Sequence, residues 1–198
     1  MKLLSQQEAQ AICNKVLSLS KADECNVQLG GSNTGNIRFA RNAVSTSGAV
    51  SDTQLVVAVA YGKKQGIATI NEFDEKSLEK VVRRAEDLAR LAPENPEFMP
   101  AVGKQEYQAS PTFSPKTAAI DPDFRAELAA YTIEACRKKN LVAAGFFTDN
   151  SSFSSIANSN GVFGYQQETG LDFTCTVRTE DGRGSGWVKR SIGDAARF

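Results

Sequence analysis

The sequence predicts an α+β fold made of two helix-plus-antiparallel-sheet units in tandem. Three observations predict it. Apolar residues recur at helical spacing over residues 5–21, over residues 74–92 and again from residue 121. Alternating stretches rich in β-branched and aromatic residues follow the first and the third of these. Residues 36–48 and 154–166 are each a strand–turn–strand piece with small polar residues at the bend, so both halves run helix first and antiparallel strands after.

Ser5-Gln6-Gln7-Glu8 opens the first helix as a capping box, in which Ser5 and Glu8 satisfy orphan amides reciprocally. Ala9, Ile12, Cys13, Val16 and Leu17 form its apolar stripe. Cys25, Val27 and Leu29 then alternate with Asn26 and Gln28, which predicts a strand. Gly30-Gly31-Ser32-Asn33-Thr34-Gly35 reads as a hairpin loop. Its glycines would suit a phosphate, but no Gly-Lys-Ser/Thr follows and no helix opens from it. Residues 36–48 supply one strand and the start of the next, bending near Asn42. Residues 54–61 are apolar on both faces, the pattern of a central strand. Gly62-Lys63-Lys64-Gln65-Gly66 turns the chain, and residues 67–70 return as the hairpin partner. Asp74 caps the second helix, whose buried face is Leu78, Val81, Val82, Ala85 and Ala89. Glu79 with Arg83, and Glu86 with Arg90, are i,i+4 pairs expected on exposed faces.

From residue 93 to 122 the chain is Pro-rich and weakly periodic, with Tyr107 and Phe113 as anchors over the first sheet. The domain reading is therefore 1–96 as an N-terminal α+β domain, 97–121 as a linker, and 122–198 as the start of a β-rich domain that is cut short. Asp121-Pro122 opens the third helix, with Asp as cap and Pro at the first helical position. Phe124, Leu128, Tyr131 and Ala135 are expected to face inward. Arg137-Lys138-Lys139 sit at the end where the helix dipole favours cations. Five strands are expected at residues 142–148, 152–158, 162–168, 171–178 and 184–190. Ser159-Asn160-Gly161 joins the second to the third, and Glu180-Asp181-Gly182 joins the last two. Residues 193–198 read as the first turn of a further helix without a cap, which predicts a fragment of a longer chain.

Composition bounds the chemistry. Lys plus Arg and Asp plus Glu both number 23, so no global field recruits DNA or an anionic membrane. No stretch approaches the ~20 apolar residues of a membrane span. The N-terminus turns polar at once, and no signal peptide is read there. Cys13, Cys25, Cys136 and Cys175 are far apart and form no Cys-x-x-Cys pair, so they read as small buried hydrophobes in a cytoplasmic protein. Histidine is absent, which excludes a His-based zinc site, a Ser-His-Asp triad and a Cys-His dyad within these residues.

The chain is organised around residues 36–48. Ile37 and Phe39 point one way on an extended backbone, toward a helix; Arg38, Ala40 and Asn42 point the other. Arg38 and Asn42 are fork-like donors for carbonyls and carboxylates, and they are the candidate substrate-binding residues. A solvated outer face is the plainer reading of the same pattern. No catalytic and no metal-ligating residue is assigned.

The arrangement resembles the TldD/PmbA family of metallopeptidases, long described as modulators of DNA gyrase. The resemblance rests on Asn36-Ile-Arg-Phe-Ala-Arg-Asn-Ala-Val-Ser and on Gly66-Ile-Ala-Thr leading to the helix at Leu78. It continues in Val142-Ala-Ala-Gly-Phe, Ile156-Ala-Asn-Ser-Asn-Gly-Val-Phe-Gly-Tyr and Ser185-Gly-Trp. Each motif is loose, but their order covers nearly the whole chain. The resemblance implies an N-terminal-like part of a peptidase subunit. That part would form the wall of a closed peptide-degrading chamber and a dimer surface, with a homodimeric or heterodimeric family partner. It implies that zinc belongs to a His-Glu-x-x-x-His motif in the family's C-terminal half or in the partner subunit, and no cofactor in these residues. In that light Arg38 would contact the backbone of an extended peptide. Two alternatives stay open: a zinc-lacking scaffold subunit of the heterodimer, and a gyrase or nucleic-acid modulator. The balanced charge and the absence of a helix-turn-helix pattern argue against direct DNA binding.

Overall fold

The computed structural model describes residues 2–197. The elements are α1 (Gln6–Leu19), β1 (Glu24–Ala40), β2 (Ala43–Tyr61), β3 (Lys64–Ile70), α2 (Glu75–Leu91), α3 (Pro115–Ala118), α4 (Pro122–Arg137), β4 (Leu141–Asn158), β5 (Phe163–Thr179) and β6 (Ser185–Ile192). A 3-10 turn at Ala195–Arg197 follows, where a further helix was expected to begin; Phe198, the last residue of that expectation, lies outside the described residues. The strands form one sheet in the order β3-β2-β1-β4-β5-β6. The β2–β3 and β5–β6 pairs are antiparallel, with Val57 opposite Ala68 and Cys175 opposite Val188. The fold is α+β, with a helix preceding antiparallel strands in each half. The chain divides into two compact units that are discontinuous in sequence. Unit 1 is Met1–Gly31, Asp52–Ser110 and Phe153–Gln166; unit 2 is Ser32–Ser51, Pro111–Ser152 and Gln167–Phe198.

In unit 1, α1 and α2 cover the sheet. Ser5 Oγ accepts from the Glu8 N–H at 3.3 Å and Glu8 accepts from the Ser5 N–H at 2.7 Å, the predicted capping box. Asp74 caps α2 by accepting from the Ser77 N–H at 3.1 Å. Ala9, Cys13 and Val16 of α1 and Leu78, Val81, Val82, Ala85 and Ala89 of α2 join Val27, Leu29, Leu55 and Val57 in one core. Close packing fixes a glycine at position 66 of β3, where a Cβ would overlap the Ala85 carbonyl of α2. Of the two α2 ion pairs, Glu79 with Arg83 stands as expected at 4.0 Å, while the Glu86 pair is not on an exposed face. Glu86 is only 1% exposed: its carboxylate accepts from the Lys21 N–H at 2.6 Å and from Arg83 at 2.6 Å, while Arg90 lies 3.8 Å away. Arg83 also donates to the Leu19 carbonyl at 2.7 Å. Glu86 therefore ties the end of α1 to α2. The i,i+4 spacing alone does not show this, because the decisive partner, the Lys21 N–H, lies just past the end of α1.

In unit 2, α4 covers Ile37, Phe39, Ala143, Phe147, Leu171 and Cys175. Asp121 caps it as predicted, accepting from the Phe124 N–H at 2.8 Å. Leu128 packs against this core as expected, but the centre of the inward face is shifted by one residue. Arg125, Ala129, Ile133 and Cys136 are buried, while Tyr131 is 75% exposed and Ala135 is exposed. A shift of one residue turns a helix by about 100°. Its cause is Arg125, which turns inward to meet Asp149 of β4 at 2.7 Å.

Two further corrections come from polar and glycine residues inside strands. No loop occurs at 30–35, because β1 runs straight through it. There the glycines make room rather than turns. A Cβ on Gly31 would lie 2.6 Å from Thr53 Oγ1 and 2.7 Å from the Phe153 ring; one on Gly35 would overlap the Arg125 guanidinium. Likewise the four strands expected between 142 and 178 are two. Asp149 sits within β4 because Arg125 neutralises it. Thr169 sits within β5, its hydroxyl donating to the Gly193 carbonyl at 2.8 Å and accepting from the Ser114 N–H at 2.9 Å.

Candidate functional site

Both predicted site residues lie in unit 2, on the β1–β2 hairpin. Its two-residue turn is Arg41-Asn42, with φ of 51° and 58°. That is the backbone handedness favoured between twisted strands, and Asn tolerates it well. Asn42 is held on every side. Its Nδ2 donates to the Leu141 carbonyl at 2.8 Å, and its Oδ1 accepts from the Ala143 N–H at 2.8 Å. Its own N–H donates to the Ala143 carbonyl at 3.2 Å, and its carbonyl accepts from Arg137 at 2.7 Å. The carboxamide thus links the hairpin tip to the start of β4.

Arg38 is placed differently. Ile37 and Phe39 on either side are buried, so alternation turns Arg38 to the helix-free face, where it is exposed. Its guanidinium lies over the Phe146 ring, 5.4 Å from the centroid, a cation–π contact that holds it against β4. Ser45 Oγ donates to the Arg38 carbonyl at 3.2 Å. Beyond Phe146 come Thr174, whose Oγ1 donates to the Phe146 carbonyl at 3.5 Å, and Lys189, which pairs opposite Thr174. Lys189 is 3.8 Å from Asp172. The neighbouring pair is Thr176 opposite Trp187, and Trp187 is 66% exposed. Beside them a shallow depression of about 270 Å³ is lined by Thr148, Asn150, Glu168, Thr169, Gly170 and Asp172.

This face offers a planar cation, an ammonium, hydroxyls, two carboxylates and an exposed indole. Such a surface can hold an extended polar chain by its carbonyls and amides. The alternation of β4, β5 and β6 was the signal that would have grouped Phe146, Thr174 and Trp187 with Arg38. Reading β4 and β5 as two strands each hid the phase.

The residues present do not fit the zinc site that the family resemblance implies. Among the described residues no three His, Cys, Asp or Glu side chains group together. All four cysteines are buried. Burial pushes the Cys13 and Cys175 thiols up and the Cys25 thiol to about 11, away from the thiolate a metal needs. No helix among the described residues is long and apolar enough to cross a membrane.

Residues 27–89 match the model of PmbA/TldA metallopeptidase domain 1, and residues 115–197 match that of the PmbA/TldA metallopeptidase central domain. Three solved structures share the fold. TldE from Thermococcus kodakarensis superposes with a TM-score of 0.80 at 15% identity, over 92% of this chain and 42% of its own. A candidate modulator of a DNA gyrase from Thermotoga maritima gives 0.83 at 14% identity, over 96% of this chain and 44% of its own. A second such candidate, from Bacteroides thetaiotaomicron, gives 0.78 at 18% identity, over 95% and 45%. This chain therefore spans less than half the length of each of these proteins. No curated protein matches it. With both family models matched in order and the fold shared, the chain belongs to the TldD/PmbA metallopeptidase family and carries that family's first and central domains.

Proposed function

We propose that this chain is the non-catalytic N-terminal portion of a TldD/PmbA-type peptidase subunit. It supplies wall surface to a chamber that degrades peptides, and a surface for a second family subunit. Residues 1–96 and 122–198 are its two sequence domains, joined through 97–121, and each contributes chain to both compact units. The zinc expected for the family is held outside these residues, in a C-terminal half or in a partner. Four free, buried cysteines favour a reducing compartment, the cytoplasm.

The observation that carries the reading is the helix-free face of unit 2. A sheet face with no further role is an ordinary alternating surface. Here an arginine is held over an aromatic ring, on the same face as an ammonium and an exposed indole. Arg38 is the residue that meets peptide carbonyls or a carboxylate. Asn42 serves the same site by fixing the hairpin that presents Arg38.

Trp187 is the chain's one tryptophan, so its emission reports on this face. Titration of the protein with a short unstructured peptide is expected to change Trp187 emission in a saturable way, and Arg38→Ala to weaken the response. Emission that ignores the peptide at millimolar concentration would contradict the reading.

A further inference from the structure

The helix-free face of unit 2 changes character along its strands. Phe146, Thr148 and Asn150 of β4 alternate with the buried Phe147 and Asp149, so all three lie on this face. Thr174 Oγ1 donates to the Phe146 carbonyl at 3.5 Å, and Ser152 Oγ donates to Glu168 at 3.4 Å. These contacts run β4 antiparallel to β5, with Phe146 level with Thr174, Thr148 with Asp172 and Asn150 with Gly170. Arg38 lies over Phe146 and so stands at one end of this track. At the other end lies the depression of about 270 Å³ lined by Thr148, Asn150, Glu168, Gly170 and Asp172 among others.

The two ends carry opposite charge. Arg38 presents a guanidinium, whose fork matches a carboxylate. The depression presents the carboxylates of Glu168 and Asp172. Lys189, 3.8 Å from Asp172, offsets one of them. One negative charge is left over, the complement of a single ammonium. Gly170 keeps the depression open, since a Cβ there would meet no other atom within 4 Å. Between the poles stand the hydroxyls of Thr148 and Thr174. Each already donates to a backbone carbonyl, Thr148 to that of Gly35 at 2.9 Å, and keeps lone pairs that accept from peptide N–H groups. The poles are three to four residues apart along β4, roughly 10–13 Å at ~3.3 Å per residue. An extended peptide of three or four residues spans the same length between its termini.

We propose that this face is a two-ended clamp for extended tri- and tetrapeptides with free termini. Arg38 takes the C-terminal carboxylate, and the depression over Gly170 takes the N-terminal ammonium. The clamp rests on the peptide-binding reading above and narrows it to peptides that carry both end charges at this spacing. Both poles face solvent, so each adds a modest share of the affinity.

The test is fluorescence titration at Trp187 of the whole chain with tetra-alanine and its end-blocked forms, with the thermal midpoint of each variant recorded to establish folding. N-acetylation and C-amidation of the peptide should each weaken binding about three- to fivefold, the effect of losing one exposed charge pair. Dialanine, too short to reach both poles, should bind more weakly than tetra-alanine. Arg38→Gln should erase the penalty of amidation and keep that of acetylation. Gly170→Val, which fills the depression, should do the reverse. Equal binding of free and blocked tetrapeptides would overturn the clamp and leave the peptide-binding reading standing, whereas no response to any of these peptides at millimolar concentration would contradict both. Affinity restored to an N-acetylated tetrapeptide by one lysine would assign the depression to a side chain and overturn its role as a terminus site.

Discussion

Unit 1 and unit 2 each bury one ionic group beneath a helix, but they balance it differently. In unit 1 the Glu86 carboxylate is shared among the Lys21 N–H, Arg83 and a more distant Arg90, and both arginines remain partly in solvent. In unit 2 Arg125 and Asp149 are both nearly withdrawn from solvent, and Arg125 Nε has no hydrogen-bond partner. Arginines that stay partly in solvent keep much of their own hydration, so losing the carboxylate strands no buried charge. A closed pair has no such reserve, because an unpaired buried charge is far more costly than the pair itself. The same contrast holds on the helix-free faces. In unit 1 the connector is pinned across the β4–β5 hairpin, where Asn158 and Asn160 donate to the Val102 and Ala101 carbonyls at 2.9 Å and 2.8 Å. Tyr107 packs against the open position at Gly164. In unit 2 Arg38 and Trp187, on the corresponding face, are both exposed.

The largest expected effect separates the two ion pairs. Asp149→Ala should destabilise the protein by about 3–5 kcal/mol, measured by urea unfolding, since it strands Arg125. Arg125→Met combined with Asp149→Leu should recover most of that loss, because an apolar pair needs no charge balance. Glu86→Ala should be milder, about 1.5–3 kcal/mol, the range for hydrogen bonds to a charged group. If Glu86→Ala proves the costlier of the two, the contrast between open and closed pairs is wrong.

Asn42→Ala should remove two hydrogen bonds to β4 and cost about 1–3 kcal/mol. Smaller still is the effect of Tyr107→Ala. It should leave global stability within about 0.5 kcal/mol. Amide hydrogen exchange across residues 101–110 and 160–165 should nonetheless accelerate, because a strap is held by few contacts.

The smallest effect is in acid. Hydrogen bonds from the Ser77 hydroxyl and N–H hold the Asp74 carboxyl below its ordinary value of 3.8, and those from Ser5 hold Glu8 below 4.5. Because the folded values are the lower ones, this stabilisation is present above the ordinary values and is lost as pH falls through the folded ones. The thermal midpoint should therefore drop on acidification below about pH 4. Asp74→Asn, which still caps a helix, should flatten that drop. An identical slope in wild type and variant would remove the cap from the account.

How much was legible in the sequence follows from where each signal lies. The capping box, the Asp74 and Asp121 caps, the α2 stripe and the bend at Asn42 are local, and all stand in the structure. What was hidden depended on residues distant in sequence. Gly31 and Gly35 resemble turn glycines until Phe153 and Arg125 are placed against them. Asp149 resembles a loop residue until Arg125 reaches it, and the α4 face is set by that same contact. The outward direction of Arg38 follows from local alternation. Its companions Phe146, Thr174 and Trp187 required the strand phases of β4 to β6, which only the register supplies.

The most direct test of the central claim compares Arg38→Ala and Asn42→Ala in the peptidase assembly proposed for this chain, by peptide hydrolysis and thermal unfolding together. The account predicts that Arg38→Ala raises the KM for peptides while the thermal midpoint stays put, because its side chain is exposed and supports no core. It predicts that Asn42→Ala lowers the midpoint. Unchanged peptide kinetics in Arg38→Ala would contradict the substrate-facing role of this surface.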